Sequence, residues 1–421
     1  MSKQSPQKNY RWNFTVNLLD GATYWFGGSF ISASTILPLF ISKLTNSLWP
    51  IGLLSVITSA GWFLPQLFAA RITERFEIMK KIEVGWGFFL ERLPVWGMVL
   101  SAVVARRSPN LALILFFICL AWYGLGAGIV APSWMGLLAK IFSPEKRGSF
   151  MGITMFIGVG MGALGSGVSA WLLETYQFPN SFIGLFIIAA AFMTLSWIFL
   201  ALTREPSGQA DTLDQDWREY WKGLLNILKS DHNFRRFIIS TVFLTLGGMG
   251  TGFVTISAIQ KFQVSDATVG FYTLMLLIGQ TVGNLVLGWM ADKYGHKLSV
   301  EIGALAVILA FILSMVMPAA EYYFAVYFLL GIQLSSGIVS GILVILEFCE
   351  TSRVPTYSGL ANTIRGLFSL IAPLIATEMA RGGYWLLFAV SAFVSTIGLV
   401  LMFVWVREPR WDNSSFNQTI E

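Results

Sequence analysis

The sequence predicts an all-α integral membrane protein with twelve transmembrane helices in two six-helix pseudo-repeats. Three observations predict this fold class. Long apolar runs without charge recur along the chain, positive charges concentrate in alternate loops, and the two halves share residues at a near-constant offset.

Apolar runs long enough to cross a bilayer recur from one end of the chain to the other. The chain is 55% hydrophobic and only 12% charged, with a mean hydropathy of +0.66, which leaves too little polar surface for a soluble protein of this length. A helix needs about 20 apolar residues to span the hydrocarbon core. The predicted spans are 13–41, 50–70, 82–105, 110–138, 149–173, 181–202, 236–259, 267–290, 299–317, 322–346, 357–379 and 383–406.

The positive charges fall mainly on one side of these spans. With the N-terminus inside, 21 of the 28 lysines and arginines lie in cytoplasmic segments, five lie outside, and two lie within helices. This is the positive-inside pattern, so we expect a multi-pass protein of a cell membrane with both termini in the cytoplasm. Topology therefore explains the net charge of +5, and a nucleic-acid partner is not expected.

The two halves of the chain resemble each other. At an offset of 218 residues, Gly52 aligns with Gly270, Gly61 with Gly279, Glu74 with Asp292 and Arg75 with Lys293. Both halves also end in Arg-Glu-Pro, at 204–206 and 407–409. The predicted divisions are an N-terminal bundle at 1–203, a cytoplasmic linker with an interfacial helix at 204–235, a C-terminal bundle at 236–406 and a cytoplasmic tail at 407–421.

The most specific motif lies between the eighth and ninth predicted spans. Residues 288–297 read Gly-Trp-Met-Ala-Asp-Lys-Tyr-Gly-His-Lys. They resemble the G-x-x-[AS]-D-[KR]-x-G-[RH]-[KR] signature of the major facilitator superfamily. The resemblance implies a secondary transporter that works by alternating access. It also implies a conformational latch, formed by Asp292 and Lys293 and, in a degenerate first-half copy, by Glu74 and Arg75. The alternative is positive charge that only sets topology.

Polar residues recur at helical spacing on several predicted helices. They are Asn17, Asp20 and Tyr24 in helix one, Thr241 and Thr245 in helix seven, and Gln333, Ser336 and Ser340 in helix ten. Helix four adds the aromatic pair Trp122 and Tyr123. Polar faces of lipid-embedded helices point to protein or water. The resemblance implies that these four helices line a substrate cavity. Interhelical packing by small and hydroxyl residues is the alternative.

Three sites carry charge within predicted spans. They are Asp20, Arg365 and the adjacent pair Glu91 and Arg92 near the middle of the third span. A charge at the centre of a membrane helix costs about 2.5–3.5 kcal/mol on insertion scales, so each needs a role. The functional hypotheses are proton coupling for Asp20 and anion or carboxylate binding in the cavity for Arg365. The alternative is a structural ion pair between them. The adjacent Glu91 and Arg92 are predicted to tie helix three to a neighbour, and Pro94 is expected to disturb that helix.

Nothing in the sequence indicates an enzyme. His232 and His296 are predicted to lie in loops, and no metal-ligand spacing, nucleophile motif or phosphate-binding loop occurs, so neither cofactor nor metal is expected. The glycine-rich run 158–167 partly resembles the antiporter motif of drug exporters, with Ala163 in place of its proline.

The expected function is therefore secondary active transport of a small solute by a monomer in the lipid bilayer. The sequence favours proton-coupled export of an amphipathic or cationic compound. One alternative is proton-coupled uptake of a small anionic or sugar-like metabolite. An alternative of another class is a non-transporting membrane scaffold, such as a pigment-assembly factor or a sensor.

Overall fold

The computed structural model of the protein describes residues 9–73, 78–142, 144–206, 227–341, 343–348 and 354–409. Within these ranges the regular structure is helical, without a β-strand, which confirms the predicted all-α class. The chain divides into two compact units. Unit 1 comprises Met1–Thr212 with Gln263–Leu274, and unit 2 comprises Leu213–Phe262 with Met275–Glu421.

Unit 1 is a helical bundle in which α1 packs along both α7 and α8, and α3 packs along α6. Its helices are α1 (Tyr10–Ser29), α2 (Ile36–Leu44), α3 (Trp49–Thr73), α4 (Met79–Gly85), α5 (Leu93–Val104), α6 (Pro109–Ile141), α7 (Pro144–Thr175) and α8 (Asn180–Ala201). A cluster of buried apolar residues that includes Leu137, Phe142 and Phe150 fills one end of this bundle.

Unit 2 is a second helical bundle. Its helices are α9 (His232–Gly247), α10 (Val254–Phe262), α11 (Asp266–Tyr294), α12 (His296–Val316), α13 (Tyr323–Val339), α14 (Leu343–Leu346), α15 (Val354–Gly382) and α16 (Tyr384–Trp405). The first residues of α11, up to Leu274, group with unit 1. Helix α16 packs along both α9 and α12, and a buried aromatic cluster that includes Phe234, Phe237 and Tyr357 fills one end of the unit.

Nine helices in the described ranges are long and apolar enough to cross a membrane. This confirms an integral membrane fold, whereas the count of twelve stays a prediction. The predicted spans outside the nine are 13–41, 50–70 and 322–346. The first is divided between α1 and α2, and the last between α13 and α14, while 50–70 lies within the 25-residue helix α3.

The third predicted helix contains a π-helical segment, Phe88–Arg92, between α4 and α5. Pro94 explains the distortion, since proline has no backbone N–H to donate and its ring displaces the preceding turn. The carbonyl of Leu90 packs so closely on α6 that a Cβ at Gly126 would overlap it. Such π segments occur often at functional sites, and this one carries two buried charges, Glu91 and Arg92.

Candidate functional site

Asp20 and Tyr24 lie one turn apart on α1 and both take part in hydrogen bonds inside unit 1. Asp20 is 7% exposed, and the Ser196 hydroxyl of α8 donates to its Oδ1 at 2.5 Å. The Tyr24 hydroxyl donates to Glu91 Oε1 at 2.8 Å and lies 3.2 Å from the Tyr123 hydroxyl. These two cavity residues of α1 therefore meet side chains from α6, α8 and the π-helical segment, and the α6 partner, Tyr123, is itself a predicted cavity residue.

Glu91 and Arg92 form a buried ion pair between neighbours in the chain, Arg92 Nη1 to Glu91 Oε2. The Arg92 guanidinium also lies 5.9 Å from the centroid of the Tyr24 ring. Both charged side chains are buried. The pair was predicted to tie helix three to a neighbour, and the structure places it beside the hydroxyl groups of Tyr24 and Tyr123.

Glu83 is a third buried carboxylate of the same region and is not among the residues predicted from the sequence. It is 2% exposed, and the Ser133 hydroxyl of α6 donates to its Oε2 at 2.6 Å. Arg92 interacts electrostatically with Glu91, Glu83 and Asp20. The sequence signal was present, because positions 83, 91 and 92 all carry charge within one predicted span.

We call Asp20, Glu83, Glu91 and Arg92 the acidic cluster. Among the described residues only the carboxylate of Glu91 pairs with the guanidinium of Arg92. With three carboxylates and one guanidinium, the fully ionised cluster would have a net charge of −2. Uncompensated charge is costly away from water, so this group of side chains favours binding of protons or of another cation. Within the described ranges, no three His, Cys, Asp or Glu side chains are arranged to hold a metal ion.

The other predicted cavity residues of unit 1 are Asn17 and Trp122. Asn17 is buried, and its Nδ2 donates to the carbonyl of Asn13 at 2.8 Å and to Thr203 Oγ1 at 3.0 Å. Trp122 is 42% exposed, unlike its neighbour Tyr123. Asn17 therefore contacts Thr203, just after the end of α8, and Trp122 lies on the surface of unit 1.

In unit 2, the predicted polar side chains bond either within their own helix or to a neighbouring helix. Thr241 and Thr245 donate back to carbonyl groups of their own helix α9, at 2.9 and 2.8 Å. Ser336 donates to the carbonyl of Ser299 at 2.8 Å, and Ser340 Oγ lies 3.2 Å from His296 Nδ1. The contacts of Ser336 and Ser340 with α12 are of the kind that interhelical packing predicts, whereas the bonds of Thr241 and Thr245 stay within α9.

Gln333 and Arg365 are the remaining cavity candidates of unit 2, and both are partly buried. Arg365 Nη1 donates to the carbonyl of Gly341 at 3.4 Å. Its guanidinium carbon lies 5.6 Å from the centroid of the Phe237 ring. Unlike Arg92, Arg365 has no carboxylate partner among the described residues.

The proposed latch is only partly described by the structure. Glu74 and Arg75 lie outside the described residues, and so does the side chain of Asp292. Lys293 is exposed, with its Nζ 5.4 Å from the ring centroid of Trp289 and 5.0 Å from that of Tyr294. Residues 207–226 of the predicted linker and 410–421 of the tail also lie outside the described ranges.

Comparisons with known proteins agree with this architecture. The sequence profile of the Major Facilitator Superfamily matches residues 26–261 and 237–421. The chain is 22% identical over 291 residues to a gentisate transporter of Corynebacterium glutamicum, covering 66% of this chain and 65% of that protein. It is 21% identical over 399 residues to YdeG of Bacillus subtilis, an uncharacterised MFS-type transporter, covering 91% and 89%.

Solved transporter structures share the fold. A D-xylose-proton symporter superposes with a TM-score of 0.72 at 14% identity, covering 95% of this chain and 99% of that one. A POT family transporter in complex with 5-aminolevulinic acid gives 0.69 at 12% identity, covering 93% and 95%. Since the profile match extends over both halves, the chain belongs to the major facilitator superfamily and is a membrane transporter of a small solute.

Proposed function

We propose that this protein is a secondary active transporter that couples solute movement to protons through the acidic cluster. The observation that carries the proposal is the excess of carboxylates. Asp20, Glu83 and Glu91 are all buried, and among the described residues only Glu91 forms an ion pair with the arginine of the cluster, Arg92. A proton is the smallest ligand that can compensate such an excess, and exchange of that proton during alternating access would link solute movement to a pH gradient.

Asp20 is the member best suited to exchange a proton. Glu91 is held by the guanidinium of Arg92 and the hydroxyl of Tyr24, whereas Asp20 accepts a hydrogen bond from the Ser196 hydroxyl, which is neutral. A hydroxyl can donate to a carboxylate or accept from a carboxylic acid. Ser196 can therefore satisfy Asp20 in either protonation state, without rearrangement of the helices.

The charge of the solute separates two candidate functions. Export of an amphipathic or cationic compound is favoured by the negative excess of the acidic cluster. Proton-coupled uptake of a small anionic metabolite is favoured by Arg365, which lacks a carboxylate partner in the described ranges. It is also favoured by the similarity to a gentisate transporter, since gentisate is an aromatic carboxylate.

We further propose a cell-membrane location with both termini in the cytoplasm, and a monomer as the working unit. The excess of 21 over five positive charges on the predicted inner side supports the orientation. Two bundles in one chain supply both halves of an alternating-access machine, so a single chain suffices.

Reconstituted protein can test the coupling. A screen of small solutes by thermal stabilisation of the purified protein identifies a transported compound. Asp20→Asn keeps the shape of the side chain and cannot ionise, so it should abolish accumulation driven by a pH gradient. Exchange of labelled for unlabelled solute, without a gradient, should persist.

Glu378→Gln is the matched control, because Glu378 is an exposed acid on α15 that pairs with Arg381. This variant should accumulate solute at the wild-type level. If Asp20→Asn also sustains a solute gradient from a pH difference, Asp20 is a structural residue. The same assay on Glu83→Gln and Glu91→Gln would then show whether another member carries the proton.

A further inference from the structure

Arg365 is a charged residue within a membrane-spanning segment. The apolar span of α15 runs from Leu360 to Gly382. Arg365 lies five residues after Leu360, which is about 7.5 Å along the helix at 1.5 Å per residue. The end of the side chain therefore lies where an uncompensated charge is costly.

The contacts of Arg365 leave most of its hydrogen-bonding capacity unused. A guanidinium has five N–H donors. One of them reaches the Gly341 carbonyl at a long 3.4 Å, and the Phe237 ring lies 5.6 Å from the guanidinium carbon. No ion pair of Arg365 occurs among the described residues, whereas Arg92 pairs with Glu91 and Arg381 with Glu378.

The carbonyl that Arg365 contacts, that of Gly341, lies two residues beyond Val339, the last residue of α13. The backbone N–H groups of Ser340 and Gly341 still donate to the carbonyls of Ser336 and Gly337, at 3.0 and 3.1 Å. Carbonyl groups at the C-terminal end of a helix are available to side-chain donors, so this contact satisfies a backbone group and leaves the charge of Arg365 uncompensated among the described residues.

We propose that Arg365 binds the carboxylate of the transported solute, so that the substrate is a small organic anion. A carboxylate accepts two parallel hydrogen bonds from a guanidinium and neutralises it, which a neutral or cationic solute cannot do. The aromatic ring of Phe237 beside the guanidinium favours an apolar or aromatic body next to that carboxylate. This inference rests on the proposed transport function and specifies its substrate class.

Three compounds of similar shape and different charge test the proposal. Benzoate is an anion, benzamide is neutral and benzylamine is a cation at neutral pH. Benzoate should raise the Tm of the purified wild-type protein, and the other two should not. In Arg365→Gln the apparent Kd for benzoate should rise about tenfold or more, as expected for loss of a charge-assisted pair. Arg365→Lys should bind with intermediate affinity, since it keeps the charge without the planar fork.

Arg381→Gln is the matched control, because Arg381 lies on the same helix, exposed and paired with Glu378. It should bind benzoate with wild-type affinity. Phenylglyoxal, which modifies arginine side chains, gives a readout on the wild-type protein that needs no variant. Benzoate should protect Arg365 from modification and leave Arg381 reactive.

Several outcomes would overturn the proposal. They are equal stabilisation by benzamide or benzylamine, stabilisation by inorganic phosphate but not by benzoate, unchanged binding in Arg365→Gln, or no stabilisation and no protection by benzoate. These are equilibrium binding measurements without a pH gradient. A failure of proton coupling in Asp20→Asn would therefore leave their result intact, and the two proposals can fail separately.

Discussion

Asn13 and Arg204 join the first and last helices of unit 1 through two reciprocal hydrogen bonds. Asn13 Nδ2 donates to the Arg204 carbonyl, and the Arg204 backbone N–H donates to Asn13 Oδ1, both at 2.9 Å. Unit 2 contains the same arrangement between Asn233 and Arg407, at 3.1 and 2.9 Å. The repeated Arg-Glu-Pro tripeptide therefore has a structural reason, since its arginine backbone closes each bundle onto its first helix.

Asn13→Ala should destabilise the protein, because it leaves the partly buried N–H and carbonyl of Arg204 without their partner. The expected loss is about 1–3 kcal/mol for an unsatisfied buried group. Asn233→Ala should have a smaller effect, because its bonds are exposed. Thermal unfolding of detergent-purified protein, followed by size-exclusion chromatography, measures both.

Asn9→Ala is the control, because Asn9 accepts an exposed hydrogen bond from the Arg204 side chain. Equal Tm values for Asn13→Ala and Asn9→Ala would contradict the prediction.

The glutamate of the same tripeptide also lies at a helix N-terminus in each unit. Glu205 accepts the backbone N–H groups of Met79 and Lys80 at 2.9 and 2.8 Å, where a carboxylate also interacts favourably with the helix dipole. Glu408 lies against Gly295, the residue before α12, so closely that a Cβ there would overlap its carboxylate. Gly295 has φ +96°, which L side chains rarely adopt.

Gly295→Ala should therefore destabilise unit 2, by about 1–3 kcal/mol for a strained backbone position. Gly288→Ala provides a control within the same signature, because a Cβ there meets nothing within 4 Å. The Tm of Gly295→Ala should fall clearly below that of Gly288→Ala. If the two variants unfold at the same temperature, the positive φ of Gly295 imposes no strain.

The sequence predicted the helical class because a helix that crosses the bilayer requires a long run of apolar residues, and such runs are visible in the sequence. It did not predict that α1 ends at Ser29 and α13 at Val339, since no proline or charged residue marks either point. Periodicity correctly put Ser336 and Ser340 on one face, but it carries no information on what covers that face. The structure shows it packed toward Ser299 and His296.

The acidic cluster was only half visible in the sequence. Asp20 and Tyr24 were identified from a polar face, and Glu91 and Arg92 from their depth. Their meeting depends on the packing of α1 against other helices and on the π-helical segment, and single-helix patterns do not encode either. Glu83 is not predicted as a buried charge because it lies near the end of its predicted span, where a charged side chain can reach water.

The predicted orientation can be tested in intact cells. A cysteine at position 207, Ser207→Cys, should not react with a membrane-impermeant maleimide, because the positive-inside bias places this segment in the cytoplasm. Gln177→Cys, in the connection between α7 and α8, is predicted to be outside and should react. Cys119 and Cys349 are replaced by serine in both variants. Efficient labelling at position 207 in unbroken cells would reverse the topology.

The hydrogen bond from Tyr24 to Glu91 gives a quantitative test of the acidic cluster. Tyr24→Phe removes the hydroxyl that donates to Glu91 Oε1 at 2.8 Å. The buried carboxylate of Glu91 then loses one of its hydrogen bonds. Hydrogen bonds to charged groups contribute about 1.5–3 kcal/mol, so we expect a loss of stability within this range. Tyr176→Phe is the control, because Tyr176 is 48% exposed in the same unit.

A double-mutant cycle separates this bond from general loss of packing. Glu91→Gln and Tyr24→Phe are measured singly and together, by reversible unfolding in mixed micelles. If the hydroxyl acts mainly on the charge of Glu91, the two effects should be non-additive by about 1 kcal/mol or more, as for residues in one network. The coupling should also fall when Tyr123→Phe is present, since the Tyr123 hydroxyl lies 3.2 Å from that of Tyr24 and can orient it. Additive effects would mean that Tyr24 acts through its ring alone, and that the carboxylate of Glu91 is held by Arg92 without help from α1.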